Sequence, residues 1–538
     1  MLALFDKGLS FLVRGVEDYL TRFDSKTGRF LTKNGGWSPQ NQENMVTLAF
    51  LYKTAHLANP YYKNEKLLDV VEKAGTALRQ FQYSDGKIEF LKIDGSKWGA
   101  SYIAWTFYHW LETCALIGND LSEKSKKSWR EGLMLAYGGI NEMLDGIRVH
   151  NINVLHATAL NRAAQVLCMP DWLKTADEMI SRAVHAQKEP GYWEEHFGPT
   201  TSYNHLYVYA LGLYHCHGGK VDVLNALEKS LYFHEVFTYP DGACVETIDG
   251  RIKYNKLVKP VAMAGLALFQ RGRDYCRFLM EQAEKNNNDL FLPNLTTFLM
   301  NLKADLGESP ALVRKKQFEI DFMNVLVEKK QDIFVCMSGI TAPPVSEIRW
   351  AQDRQMFLSV WHQSYGLLIG GGNSKNQAER STFVISKNST PLIYIPVSGS
   401  VDPDKKELNL YYGDMRCSIC IDLLDTNIFE FSYRSEINED YEACLNLPII
   451  LVPGSKLITD VGITWDISED SIDFTKGSGK HWIQVNSARI EFDGPASFKW
   501  PSRPFNPHEK DGIAPLEQSV AILTLVSDRK SRKVSIKF

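Results

Sequence analysis

The stretch at 190–215, PGYWEEHFGPTTSYNHLYVYALGLYH, gathers groups that transfer protons and form hydrogen bonds. Two adjacent carboxylates, Glu194 and Glu195, are followed closely by Tyr203, Asn204, His205 and Tyr207 at the head of a helical pattern. A hydroxyl at Thr201 or Ser202 is placed to cap that helix by accepting from an orphan first-turn N–H. An echo at 239–254, YPDGACVETIDGRIKY, adds Asp241, Glu246, Asp249 and Arg251. A further segment at 148–167 opens a helix with His150, Asn151 and Asn153 and continues to His156. Tyrosine and histidine are the types that abstract or return a proton, and amide donors aimed at a carboxylate stabilise the charge that develops there. The competing reading is structural: aromatic packing on an amphipathic helix, caps at Asn151 and Asn153, and satisfied helix histidines at His150 and His156.

The elements that must position these residues change character along the chain. The segments 41–58, 67–83, 98–118, 121–144, 153–168, 171–187, 203–216, 221–235, 256–283 and 289–304 repeat apolar residues at three- and four-residue spacing, which predicts helices. Helical hairpins in succession stack into a bundle, a solenoid or a closed toroid. From about 332 the pattern turns to short β-branched runs bounded by Gly, Pro, Asn or Asp, which predicts an antiparallel sandwich. The expected domains are 1–315 and 330–538, joined at about 305–331. In the second, 347–383 is the densest polar and aromatic region. Arg349, Gln352, Asp353, Arg354 and His362 are expected to reach the site across the domain interface, with an Arg–Asp network and a strand histidine as the structural alternative. The run Gly370-Gly371-Gly372-Asn373-Ser374-Lys375 lacks the order of a phosphate loop and reads as a turn.

Composition bounds the function classes. The chain has 538 residues, 44% hydrophobic and 23% charged, which are ordinary globular values. A net charge of −4 and the absence of a basic stripe argue against nucleic acid, and 12 Trp with 23 Tyr suit sugar-stacking surfaces. Nine cysteines without framework spacing read as reduced thiols, and Cys417–Cys420 is a lone C-x-x-C. No signal peptide and no membrane-length apolar run are read, so the expectation is a cytoplasmic protein or an exported one whose signal was removed.

The motifs at 190–215, together with the PDG turn at 240–242 and the helix at 148–167, resemble the heparinase II/III-like polysaccharide lyases. There a DGG-type turn, a Glu and an S-P-x-Y-H element precede a helix. The Tyr-His pair of that group is Tyr203-Asn204 here, with His205 a step later; its Asn-His pair is inverted as His150-Asn151; and its H-x-H-x-D element is not found. The resemblance implies an N-terminal (α/α) toroid followed by an antiparallel β-sandwich, and cleavage of a uronic-acid glycan by β-elimination in the cleft between them. It implies Tyr203, His205 and Asn151 as catalytic residues, and the polar region at 347–383 adds His362. His150, Asn153, Glu195, Asn204, Tyr207, Asp249, Arg251, Arg349, Gln352 and Arg354 would bind substrate. The expected partner is an acidic polysaccharide and no membrane; no cofactor is expected, with a structural divalent metal left open. Two other readings stand beside this one: a glycoside hydrolase using two carboxylates among Glu194, Glu195, Asp241, Glu246 and Asp249, and a glycan-binding protein without turnover.

Overall fold

The computed structural model describes residues 2–91, 96–302, 318–320, 324–509 and 511–538. The chain forms two compact units: one comprises 1–187, 203–231 and 257–312, the other 188–202, 232–256 and 313–538. Two segments of the N-terminal half thus fold with the C-terminal unit. Most of the expected connection at 305–331 lies outside the described residues.

The first unit is helical. Its elements are α1 (Leu2–Thr21), α2 (Met45–Lys53), α3 (Glu65–Phe81), α4 (Ala104–Ile117), α5 (Glu123–Leu144), α6 (Asn151–Val166), α7 (Trp172–His185), α8 (Thr201–Cys216), α9 (Leu224–Val236), α10 (Met263–Leu266), α11 (Gln270–Lys285) and α12 (Leu292–Asn301). Burial sorts them into two layers. In α2 every residue from Met45 to Tyr52 is buried, and α4 and α6 are buried nearly all round. By contrast α3, α5 and α7 bury one stripe. A helix apolar all round is an inner one and a striped helix an outer one. Inner neighbours touch in sequence: Glu112 pairs with Arg162 between α4 and α6, and Thr158 Oγ1 donates to the Ala210 carbonyl between α6 and α8. Between α8 and α10, a Cβ on Gly212 would stand 2.2 Å from the Gly265 Cα, so only glycine permits that approach. The ring closes where Thr296 of α12 meets Thr47 of α2 at 2.8 Å.

Three helix expectations are corrected. The pattern at 98–118 begins as a strand, Lys97–Ser101, paired with Ile88–Leu91, because Gly99 sits at φ +119 and cannot open a helix. The pattern at 41–58 begins as a 3-10 turn, Pro39–Asn44, ahead of α2. The pattern at 256–283 becomes helical only from Met263, since Pro260 disfavours helical backbone before it, and is interrupted at 267–269 between α10 and α11.

In the second unit two antiparallel sheets, of 11 and 9 strands, face each other. Val335, Val360, Leu445 and Leu523 from one pack with Leu410, Ile419, Phe431 and Ile490 from the other. Strand Ile333–Ser338 is buried on both faces. Ile333, Val335 and Met337 enter the sandwich core, while Phe334 and Cys336 join a second cluster with Phe233, Phe237, Tyr239, Val245 and Ile248. The period of two in a strand therefore serves two cores here, one of them supplied by the 232–256 segment.

Candidate functional site

Helices α6 and α8 run parallel in a fixed register. Thr158 meets Ala210, and Gln165 Nε2 donates to the His217 carbonyl at 2.6 Å, each pair separated by 52 residues. The same offset sets Asn151, the first residue of α6, level with Tyr203 in the first turn of α8. Tyr203 is half-buried, whereas Asn151, Asn204 and His205 are 1%, 1% and 4% exposed. His205 lies about 200° around the helix from Tyr203, so the two cannot share a face. This removes His205 from the exposed face on which it was expected to assist. Tyr207 is likewise buried in the packing.

A cavity of about 470 Å³ opens within this unit one turn further along both helices, lined by Leu155 of α6 and by Leu206 and Tyr209 of α8. Leu155 follows Asn151 by four residues and Leu206 follows Tyr203 by three, so each pair lies on one helix face. Trp105 at the head of α4, Gln40, Glu43 and Asn44 of the 3-10 turn, and Asn294 at the head of α12 complete much of the wall. The cavity thus lies toward the N-terminal ends of inner helices, where unpaired N–H groups carry partial positive charge. Behind it is a buried polar chain. Thr106 donates to Glu43 Oε1 at 2.7 Å, Glu43 Oε2 lies 3.2 Å from His109 Nδ1, and the Tyr209 hydroxyl is 3.4 Å from His109 Nε2 and 3.2 Å from Thr297. The Glu43–His109 contact is close but poorly aligned for a hydrogen bond. None of these wall residues was singled out from sequence. The polar run QNQEN at 40–44, heading an apolar helix, was the available signal.

The other expected residues are placed as follows. His150 caps α6, its Nδ1 accepting from Ile152 N–H at 3.4 Å, and Asn153 donates to the Arg148 carbonyl. His156 is buried, and burial lowers its pKa to about 4, so it is neutral near pH 7. The expected Thr201 or Ser202 cap is corrected: the Asp249 carboxylate accepts from both the N–H and the hydroxyl of Thr201, at 2.6 and 2.9 Å, while its other oxygen accepts from the N–H groups of Arg251 and Ile252. Asp249 is therefore a cap and turn former. Arg251 lies 3.6 Å from Glu195, and His196 lies 3.4 Å from the same carboxylate.

In the second unit four of the expected residues make contacts within the fold. Arg354 is 2% exposed and donates to the carbonyls of Phe197, Pro199 and Ile248. It braces a loop in which His196 and Phe197 hold φ +50° and +68°, a strained backbone that persists only when its surroundings over-determine it. Both ring nitrogens of His362 are engaged, with Ser364 and the Thr426 carbonyl, and its ring stacks on Phe538 at 4.1 Å. Arg349 donates to the carbonyls of Pro507 and Glu509. Gln352 is buried and accepts from Lys253 Nζ at 3.3 Å. The Gly370–Gly372 run is a turn as expected: φ is +141°, +111° and +98°, and Lys375 donates to the carbonyls of Val345, Ile348 and Ala351.

Of the carboxylates of the hydrolase reading, Asp241 and Glu246 are engaged within the fold, while Glu194 is exposed. Asp241 accepts from Tyr254 and Trp361, and Glu246 from the Gly371 N–H and Tyr239. Burial raises the Glu246 pKa to about 7. Cys417 and Cys420 lie three apart on strand Met415–Asp425, hence on opposite faces. Among the described residues no cluster of three metal-ligating side chains occurs, and no helix is long and apolar enough to cross a membrane.

The helical ring of one unit and the two-sheet antiparallel sandwich of the other give the chain a fold similar to that of solved chondroitin and heparan sulfate lyases. No protein-family model and no curated protein matches the chain. Among solved structures it is similar to the chondroitin AC lyase of Streptomyces coelicolor A3 in complex with chondroitin sulphate, with a TM-score of 0.55 and 10% identity over 99% of this chain and 82% of that one. It is similar also to a heparinase III gene product, with a TM-score of 0.52 and 10% identity over 92% and 78% of the two chains. The heparan sulfate lyase HepC of Pedobacter heparinus, in a mutant form, gives 0.50 and 10% identity over 93% and 76%. At such identity the likeness is one of fold.

Proposed function

We propose that this chain is a polysaccharide lyase that cleaves a uronic-acid-containing glycan by β-elimination, with Tyr203 moving the proton and Asn151 binding the substrate carboxylate. The observation that carries the reading is the shared 52-residue register of α6 and α8, which levels Asn151 with Tyr203 above a cavity walled by both helices. Elimination removes the proton at C5, forms the C4–C5 double bond from that electron pair, and breaks the C4–O bond, whose oxygen takes a proton. The C5 proton is acidic enough only if charge building on the adjacent carboxylate is stabilised, which is the task of the Asn151 amide and of the positive end of α6. Half-buried Tyr203, in the first turn of α8, is of the residue type that suits the proton transfer.

The hydrolase reading is weaker on this geometry. It needs a carboxylate pair across the scissile bond. Asp241, Glu246 and Asp249 are committed to hydrogen bonds within the fold, and Glu43 is the one carboxylate among the cavity's lining residues. The test is a panel of hyaluronan, heparan, chondroitin, alginate, pectic and ulvan-type polymers. Growth of ultraviolet absorbance from an unsaturated uronate, absent in Tyr203→Phe, is the expected result. New reducing ends without that absorbance would overturn elimination, and binding without either would reduce the protein to a glycan binder.

A further inference from the structure

Among the described residues, those other than glycine that hold a positive φ are nearly all asparagine or other polar side chains, and Phe197, at +68°, is the one large apolar exception. A bulky residue there is an outlier, because its Cβ crowds the next carbonyl oxygen. His196 before it holds +50° and Gly198 after it +141°, so three consecutive residues form one left-handed turn ahead of α8.

Burial does not account for the choice of side chain. Phe197 is 49% exposed, and among the described residues no other aromatic ring packs against it. Asparagine or glycine would hold the same backbone more easily, so a phenylalanine kept here in contact with water adds little to the core.

The turn is nonetheless held from several sides. The Glu195 N–H donates to the Gly198 carbonyl at 2.9 Å, and Arg354, itself 2% exposed, donates to the carbonyls of Phe197 and Pro199 at 3.2 and 3.0 Å. A Cβ on Gly198 would stand 2.6 Å from Arg354 Nη2, so the guanidinium is seated directly against the turn. The Glu195 carboxylate lies 3.4 Å from His196 and 3.6 Å from Arg251. Strain that persists because its surroundings over-determine it is concentrated at functional sites. What this turn presents is a flat apolar ring on a backbone fixed before any ligand arrives, which lowers the entropy lost on binding.

Position narrows the ligand. Pro199 and Thr200 lead into α8 at Thr201, so Phe197 precedes Tyr203 by six residues, and even a fully extended chain keeps the two Cα atoms within about 22 Å. A glycan held at Tyr203 continues past that residue ring after ring, and the apolar C–H side of a pyranose suits an aromatic face.

We infer that Phe197 is a stacking platform for one sugar ring of the substrate, presented by the strained turn at 195–198 that Arg354 braces. The inference rests on the lyase reading for the identity of the polymer; the stacking itself needs no turnover.

The test is calorimetric binding to Tyr203→Phe protein, which keeps the ligand intact, using hexasaccharide fragments of hyaluronan, heparan, chondroitin, alginate, pectic and ulvan-type polymers. At least one should bind, and adding Phe197→Asn should weaken it by about tenfold, the scale of losing an aromatic anchor. Because asparagine tolerates positive φ, the melting temperature of that variant should equal or exceed the parent's. Phe197→Tyr or Phe197→Trp, which keep a flat face, should retain the affinity. No binding of any fragment, unchanged affinity in Phe197→Asn, or loss in both aromatic variants would overturn the platform, and a lower melting temperature in Phe197→Asn would make the ring a packing group instead. Unsaturated uronate formed by the wild type with affinity indifferent to Phe197 would reject the platform and keep the lyase; ring-dependent binding with no turnover would do the reverse.

Discussion

At Tyr203 a single oxygen distinguishes the proposed proton-transfer role from a packing one. Tyr203→Phe keeps the ring and deletes the hydroxyl, so turnover should fall by roughly 10²-fold or more while the melting temperature hardly moves. A variant that still produces unsaturated ends at a near-normal rate would take the proton transfer away from this residue. Asn151→Ala acts on charge stabilisation: if its amide works as an oxyanion donor does, about 2.7–4 kcal/mol of transition-state stabilisation is lost. That loss should appear in kcat, measured at saturating substrate. A change confined to KM would make Asn151 a simple binding group.

Among elements, the first turn of α8 depends on side chains distant in sequence. Asp249 accepts from Thr201 and anchors its own turn through the N–H groups of Arg251 and Ile252. Asp249→Ala orphans all of these donors, and cap loss alone destabilises by about 0.5–2 kcal/mol; the expected result is a lower melting temperature with activity lost in parallel. Arg354→Ala, expected from sequence to impair substrate contact, should instead lower stability, because it leaves the carbonyls of Phe197, Pro199 and Ile248 without their buried donor. Activity that falls at an unchanged melting temperature would return Arg354 to the substrate.

Across the whole molecule, buried ionisable groups set opposing pH dependences. Burial lowers the pKa of His156 and His217 to about 4 and of His234 to about 3. Each binds fewer protons folded than unfolded, so their contribution is present above the ordinary histidine pKa of about 6.5 and is lost as pH falls toward about 4. Glu246, raised to about 7 by burial, has the opposite sign: its contribution is complete below its ordinary value and is lost as pH rises through about 7. Glu246→Gln should therefore raise the melting temperature at pH 8 and change it little at pH 5, as scanning calorimetry would read. No gain at pH 8 would mean that the carboxylate is stabilised by more than the Gly371 and Tyr239 bonds.

Local pattern was enough for the order of the elements. A 3.6-residue apolar period up to about 304 and a period of two beyond 332 follow from which faces must be buried, so helices before strands, and Tyr203 at a helix head, were legible in the chain alone. Contacts distant in sequence were not. Nothing near position 201 announces that its cap comes from Asp249, or that Arg354 is spent on carbonyls some 155 residues away. The level pairing of Asn151 with Tyr203 exists only because two inner helices pack in parallel. Glu43, Gln40 and Asn44 read as the head of an ordinary helix until ring closure turned them toward a cavity. Residue type and period report what each segment buries; which polar groups finally meet is decided by packing, because each must find its partner wherever the fold brings one within about 3 Å.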